Sequence, residues 1–402
     1  MIAECPQLQT IGSLLVFSDD WGRHPSSCQH LVRNLLDQYP VLWVNTIGTR
    51  APRFDVQTVK RVTEKLRQWG SAKRSKNSTE DFSARPDSFA PVHGHPNLTV
   101  INPKMWPWFG SGQARRLNCW LLSNQLSTLI TQLPQPVVAL TTLPITADLP
   151  EVLPVDRWVY YCVDDFSQWP GLDRDTLRRL DRAMILRADS LVAVSETLQG
   201  MIAAEGRSAS LLTHGVDMEF WNSDSASSVP TLESMPPNVV FWGVIDRRMD
   251  SASLRQLSQD LTDGTIVLIG PQQDPDPEIL ALPNVRILPA QPLTALPAIA
   301  RQAAVLIMPY ADLPVTRAMQ PLKLKEYLAT GKPVVVNRLP STNAWGDCLD
   351  VAETSAHFSQ LVRDRITSGI PVSQTTARNR LQQESWKSKA EILEKVLKGN
   401  RQ

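Results

Sequence analysis

Short apolar runs bounded by turn residues recur along this chain, and between them lie stretches whose apolar positions repeat at helical spacing. In the first half the runs are SLLVFS (13–18), VLWVN (41–45), LTVIN (98–102), VVALT (137–141), WVYYCV (158–163) and SLVAVS (190–195). In the second half they are VVFWGV (239–244), TIVLIG (265–270), VRILP (285–289), AVLIMPY (304–310) and PVVVN (333–337). Near-continuous apolar strands separated by amphipathic helices predict parallel sheets covered on both faces, an α/β chain of βαβ units. A chain of 402 residues exceeds what one core usually organises, so two domains of roughly 150–200 residues are expected. The Ser- and Pro-rich stretch 222–238 reads as the linker between a first domain over 1–221 and a second over 239–384. The tail 385–402 reads as a helix able to pack back on the first domain.

Composition narrows the function classes. The chain has 41 basic and 40 acidic residues, a formal charge of +1, which gives no global attraction for nucleic acid. Its five cysteines (Cys5, Cys28, Cys119, Cys162, Cys348) are scattered, with no C-x-x-C pair and no histidine at ligand spacing, which predicts a reducing cytoplasm and no metal site. The first residues lack a basic leader and no apolar run reaches the ~18 residues of a membrane span, so the sequence predicts a protein neither secreted nor membrane-integral.

One local excess breaks the global balance. Residues 50–76 hold Arg50, Arg53, Lys60, Arg61, Lys65, Arg67, Lys73, Arg74 and Lys76 against only Asp55 and Glu64. Val59, Val62, Leu66 and Trp69 recur there at helical spacing, so the segment reads either as a basic amphipathic helix for an anionic membrane surface or as a helix packed on its own domain. The aromatic run MWPWFG (105–110) is a candidate for the same surface.

The most informative segment is PLKLKEYLATGKPVVV (321–336). A proline opens a helix, Lys323 and Glu326 lie on its polar face, and Gly331 with Pro333 ends it and leads into a buried strand. A helix start beside an ammonium attracts phosphate, and a carboxylate one turn on can hold ribose hydroxyls. In doubly wound sheets ligands sit outside the carboxyl ends of the strands. Gly243, Arg247 and Arg248 follow one such end, and Tyr310 and Arg317 lie beyond another.

In order and spacing, FWGVIDRRMDSASL, VLIGP, LPNV, IMPY and PLKLKEYLATGKPVVV resemble the nucleotide-binding domain of GT-B glycosyltransferases, particularly bacterial family-4-like and polysaccharide or teichuronic-acid-type enzymes. YYCVDDFSQWPG, ADSLVAVSETL and LLTHGVDMEFW resemble the end of the first domain in that group. The resemblance implies two Rossmann-like domains facing a central cleft and a nucleotide diphosphate-sugar donor, with no separate cofactor or metal. It implies that Glu326 binds the ribose, that Pro321, Leu322 and Lys323 meet the diphosphate, and that an arginine of the 247–248 pair assists. The implied partner is a glycan or lipid-linked acceptor reached at the inner face of the plasma membrane. Ala318 stands eight positions before Glu326, where many retaining members carry a glutamate, and the first strand–helix loop reads DDWGRHPSSCQH in place of a glycine pair. Both departures leave the stereochemical outcome open, and the alternatives of an epimerase and a catalytically silent scaffold stay in view.

Inverting transfer needs a general base, usually Asp, Glu or His. Asp20, Asp164 and Asp165 follow strands and are the candidates; each pair also has the form of a turn or helix cap. Trp21, Arg23, His24, His30, Trp169 and His214 are the candidate acceptor-side residues.

Overall fold

The protein is described by a computed structural model covering residues 10–23, 25–46, 95–169, 171–223, 232 and 235–399. The first sheet contains β1 (Ser13–Ser18), β2 (Val41–Asn45), β3 (Leu98–Ile101), β4 (Val137–Thr141), β5 (Arg157–Cys162), β6 (Ser190–Ala193) and β7 (Ser210–Leu211). All pairs are parallel, in the order β3-β2-β1-β4-β5-β6-β7, with Leu14 in register with Val41 and Val138. The second half supplies β8 (Asn238–Trp242), β9 (Ile245–Asp246), β10 (Thr265–Ile269), β11 (Gln272–Gln273), β12 (Val285–Leu288), β13 (Val305–Met308), β14 (Val334–Asn337) and β15 (Asp350–Ala352). Six of these form a parallel sheet ordered β12-β10-β8-β13-β14-β15, and β9 pairs with β11 just beyond it. Strand order reverses between β1 and β4 and between β8 and β13, the two places where doubly wound sheets open a ligand crevice.

The apolar runs became strands because both faces are covered: β1, β4, β5 and β8 are buried along their whole length. Each sheet has its own apolar core, one built around Phe17, Trp43, Leu140 and Tyr160 and the other around Phe241, Leu268, Tyr327 and Phe358. Leu212 still belongs to the first core, whereas Val216 and Trp221 pack into the second. The helix Trp386–Leu397 returns to the first core, burying Trp386, Ala390, Leu393, Val396 and Leu397. Four strands lack an apolar run and were not anticipated: β7, β9 and β11 have two residues each, and β15 reads Asp-Val-Ala. The basic segment 50–76, His24 and most of the 222–238 stretch lie outside the described residues.

The two halves meet directly. Ser195 Oγ donates to the Ala318 carbonyl at 2.8 Å and Thr197 Oγ1 to that of Arg317 at 3.1 Å. Between β8 and β10 the backbone closes up at Gly243 and Gly270, both with positive φ (141° and 149°). A Cβ at Gly270 would overlap the Gly243 carbonyl, so neither backbone torsion nor space admits a side chain. Gly270→Ala is expected to destabilise the fold by about 3 kcal/mol, read from urea unfolding; a loss below about 1 kcal/mol would contradict that packing.

Candidate functional site

The crevice at the β8/β13 reversal holds the helix Leu322–Ala329, opened by Pro321 with no side-chain cap at its start. Its Lys323 side chain reaches over β8. The ammonium donates to the Tyr310 hydroxyl at 2.5 Å and lies 4.4 Å from the Phe241 ring centre. It occupies the space that a Cβ at Gly243 would need, so the glycine provides the notch in which the lysine sits. Tyr310 is fixed in turn, since its carbonyl accepts from Asn337 Nδ2 at 3.2 Å and Asn337 also donates to Asp250 at 2.9 Å.

Glu326 follows one turn along the helix. Burial pushes its carboxyl up to about 7, with the Lys323 ammonium and the Trp242 indole opposing the shift. The Trp242 Nε1 is buried beside that carboxyl. A carboxyl titrating near neutrality beside an indole N–H offers both an acceptor and a donor to a ligand that carries hydroxyls.

The two arginines after β8 separate. Arg248 is buried, pairs with Asp246 at 2.8 Å and stacks over Trp169, its guanidinium carbon 4.6 Å from the ring centre. Burial alone would lower its pKa, but Asp246 and then Tyr310 and Asp164 hold it above the ordinary arginine value. Arg247 points outward to Asp274, with its nearest oxygen at 3.4 Å. Trp169 belongs to the first half, so the Arg248 stack joins the two halves across the crevice.

Asp164 and Asp165 also part. Asp165 accepts from the Ser167 amide at 3.0 Å and the Ser167 hydroxyl at 2.6 Å, which makes it the cap of the turn Phe166–Gln168. The Asp164 carboxyl stands in the field of Arg248. Burial pushes it up to about 7, Arg248 pulls against that, and Asp165 adds to it. An aspartate titrating near neutrality beside a cation is poised to take a proton.

The remaining candidates lie elsewhere. Asp20 is exposed and paired with Arg23 at 3.1 Å, while Asp19 is the buried member of that pair and accepts from Ser18, Ser26 and Gln29. Trp21 packs edge-on against Trp43 at 4.6 Å. Arg317 forms an exposed pair with Asp312 at 2.5 Å, so its carbonyl rather than its guanidinium serves the contact between halves. His30 stacks on Trp386 at 4.4 Å, and burial, then Arg33, lowers its pKa to about 3. Burial and Lys325 do the same to His214.

Lys325, not singled out from the sequence, is 1% exposed and pairs with Glu384, while its ammonium also donates to the His214 carbonyl and to Thr213 Oγ1. Lys389 of the returning helix completes the cluster, 2.7 Å from Glu384. This knot fixes the back of the Leu322–Ala329 helix where the chain crosses between the halves. The only sequence sign was a lysine on the helix's buried face, at a spacing that Lys323 made ambiguous. Asp246, two residues before Arg248, was equally readable as a solvated turn. Among the described residues no grouping of three or more His, Cys, Asp or Glu could hold a metal ion, and no helix is long and apolar enough to cross a membrane.

No family model matches the chain. Over 181 residues it is 29% identical to a Bacillus subtilis (strain 168) protein provisionally named as a teichuronic acid biosynthesis glycosyltransferase, TuaH; the match spans 42% of this chain and 45% of that protein, less than half its length. Three solved structures share the whole architecture. Sucrose-phosphate synthase from Thermosynechococcus elongatus aligns with a TM-score of 0.66 at 13% identity, over 96% of this chain and 98% of that one. Anabaena Alr3699/HepE, in complex with UDP and glucose, aligns at 0.62 and 14%, over 96% and 99%. A UDP-forming α,α-trehalose-phosphate synthase from Burkholderia xenovorans aligns at 0.65 and 13%, over 97% and 99%. The chain therefore has the GT-B fold, with two Rossmann-like halves facing a cleft, as the sequence motifs implied.

Because Arg248 favours the charged form of Asp164, Arg248→Met is expected to raise the Asp164 titration above about 7. Carbon-13 NMR of labelled aspartate would register it; an unmoved titration would mean that the two groups do not face each other.

Proposed function

We propose that the protein is a glycosyltransferase, moving a sugar from a nucleoside diphosphate-sugar to a glycan or lipid-linked acceptor in surface polysaccharide synthesis. One observation carries the reading: Lys323 sits in the Gly243 notch at the strand-order reversal, with Glu326 one turn behind it on an uncapped helix. The diphosphate would lie at the helix start against Lys323, where the helix dipole and an ammonium add. The ribose would meet Glu326, whose carboxyl lies beside the Trp242 indole. Arg248, fixed by Asp246, offers a second cation toward the same space.

The acceptor hydroxyl would approach from the first half, where Asp164 takes its proton as the bond to the anomeric carbon forms. Breaking the sugar–phosphate bond leaves negative charge on the diphosphate, and Lys323 and Arg248 stabilise that charge. Closure of the two halves would exclude water from the reactive centre. In this scheme the residues need no cofactor of their own. Ala318 supplies no carboxylate, and its carbonyl is already engaged by Ser195. The B. subtilis relative is named for teichuronic acid synthesis, and of the structural neighbours one is a complex with UDP and one a UDP-forming synthase, so UDP is the first nucleotide to test. An acceptor held at the inner face of the plasma membrane would be met by the basic segment 50–76.

Calorimetry with UDP and GDP tests the donor half: Glu326→Ala is expected to weaken binding at least ~10-fold, about 1.4 kcal/mol. Unchanged affinity for both nucleotides would sink the assignment. On the acceptor side, Asp164→Asn should retain nucleotide affinity and lose transfer by about 1000-fold, and wild-type rates should rise with pH through about 7 as Asp164 ionises. Sugar isomerised without an acceptor would point to an epimerase, and a folded protein that binds neither nucleotide to a silent scaffold.

A further inference from the structure

The chain passes between the halves twice, and the two passages lie side by side. Leu212 is in the first core and Val216 in the second, whereas Leu381 is in the second and Trp386 in the first, so the crossings are residues 213–215 and 382–385. They are joined to each other: Val216 forms a parallel bridge with Ser385, and its amide donates to the Glu384 carbonyl at 2.8 Å. No side chain fits at Gly215, because a Cβ there would stand 2.8 Å from the Trp386 indole and 2.9 Å from its Cα. That indole is stacked on His30, from the helix Ser27–Arg33 of the first half, with ring centres 4.4 Å apart and planes 3° from parallel. The crossings are thus packed against the first half.

Lys325 ties both crossings to the helix that carries Lys323 and Glu326. Its ammonium donates to the His214 carbonyl and to Thr213 Oγ1 (3.2 Å) in one crossing, and to Glu384 in the other. Lys389 also reaches both, at 2.7 Å from Glu384 and 3.2 Å from Thr213 Oγ1, but it stands on the returning helix. The far end of the crevice helix has a different anchor. Arg378 donates to the carbonyls of Leu328, Lys332 and Cys348, all within the second half, so this contact transmits nothing to the first. An apolar side chain in place of Lys325 would fill the same space without desolvating a charge. What the ammonium adds is three directed bonds to two strands.

We propose that Lys325 is a positioning residue that couples the front of the Leu322–Ala329 helix to the angle between the two halves. The inference rests on the nucleotide reading above. The helix is two turns and ~12 Å long, short enough to move as one piece. A diphosphate drawn to its start displaces it through Lys323, and Lys325 passes that displacement to both crossings at once, because they are bonded to each other and packed on Trp386. The halves then rotate toward closure. The link is reciprocal, so halves held closed bind the nucleotide more tightly. Lys325→Met suits the test: it keeps nearly the length of the side chain and leaves Glu384 paired with Lys389, so no carboxylate is stranded.

Small-angle scattering and calorimetry on the full chain, with UDP as the probe, test the coupling. On saturation the wild type should contract by about 1 Å in radius of gyration, from the ~21 Å expected of a compact chain of 402 residues. Lys325→Met should weaken UDP binding by at most about 5-fold and contract by less than half as much. Gly215→Ala, which displaces a crossing without touching the helix, should lose the contraction in the same way, and circular dichroism identifies which variants are folded. A wild type that binds no UDP would defeat the nucleotide reading and this inference with it. Three results would overturn the coupling while leaving that reading intact: UDP binding by the wild type without contraction; contraction of a folded variant equal to that of the wild type; or a loss of UDP affinity in Lys325→Met as large as in Glu326→Ala, which would make Lys325 part of the binding site itself.

Discussion

Everything at the crevice depends on the place of one ammonium. Lys323 lies against β8 because position 243 has no side chain, and position 243 has none because its torsion and its neighbours forbid one. Gly270 repeats the constraint on the adjacent strand, where the backbone passes too near the Gly243 carbonyl for any Cβ. Two strand ends are thereby drawn together, and the helix that follows Pro321 can bring its start down over them. Tyr310 gives the ammonium an oxygen and the Phe241 ring gives it a π face, so among the described residues the charge is held without a direct carboxylate ion pair. A cation kept in this way retains its attraction for an incoming anion.

Charges at the crevice are otherwise arranged in opposition. Arg248 is satisfied by Asp246 and stacked on a ring from the other half, whereas Asp164 is half-buried and left partly protonated near neutrality. Glu326 is in the same condition beside Trp242. Desolvated groups of this kind are unfavourable for stability and are kept where a ligand or a reaction supplies the missing partner. The Lys325–Glu384–Lys389 knot behind them has the opposite character, since its charges are paired and hydrogen-bonded to Thr213 and His214. It fixes the helix from the rear and leaves its front face open.

How much of this was legible depended on the element. The eleven long strands announced themselves because parallel strands buried on both faces are written as continuous apolar runs. β7, β9, β11 and β15 were not, because two or three residues of mixed polarity carry no period. Pro321 and Gly331 marked the helix, and Lys323 and Glu326 were read as its working pair. Side-chain direction was beyond reach. Adjacent residues of one type look alike in a sequence, yet Arg248 turns inward while Arg247 meets Asp274, and Asp164 stands free while Asp165 caps a turn. Arg317 and Asp20 were given site roles because they follow strands, but each had an acidic or basic neighbour within reach, and local pairing won. His214 and His30 lie deep against the returning helix, a contact between positions far apart in sequence that no local pattern records.

The central claim is that the β8/β13 crevice binds a nucleoside diphosphate through Lys323 and Glu326. A crystal structure of the protein soaked with UDP tests it most directly. The expected result is a diphosphate at the start of the Leu322–Ala329 helix, within hydrogen-bond reach of Lys323 Nζ, and a ribose hydroxyl on Glu326. A nucleotide bound elsewhere, or one whose ribose and phosphates contact neither side chain, would contradict it.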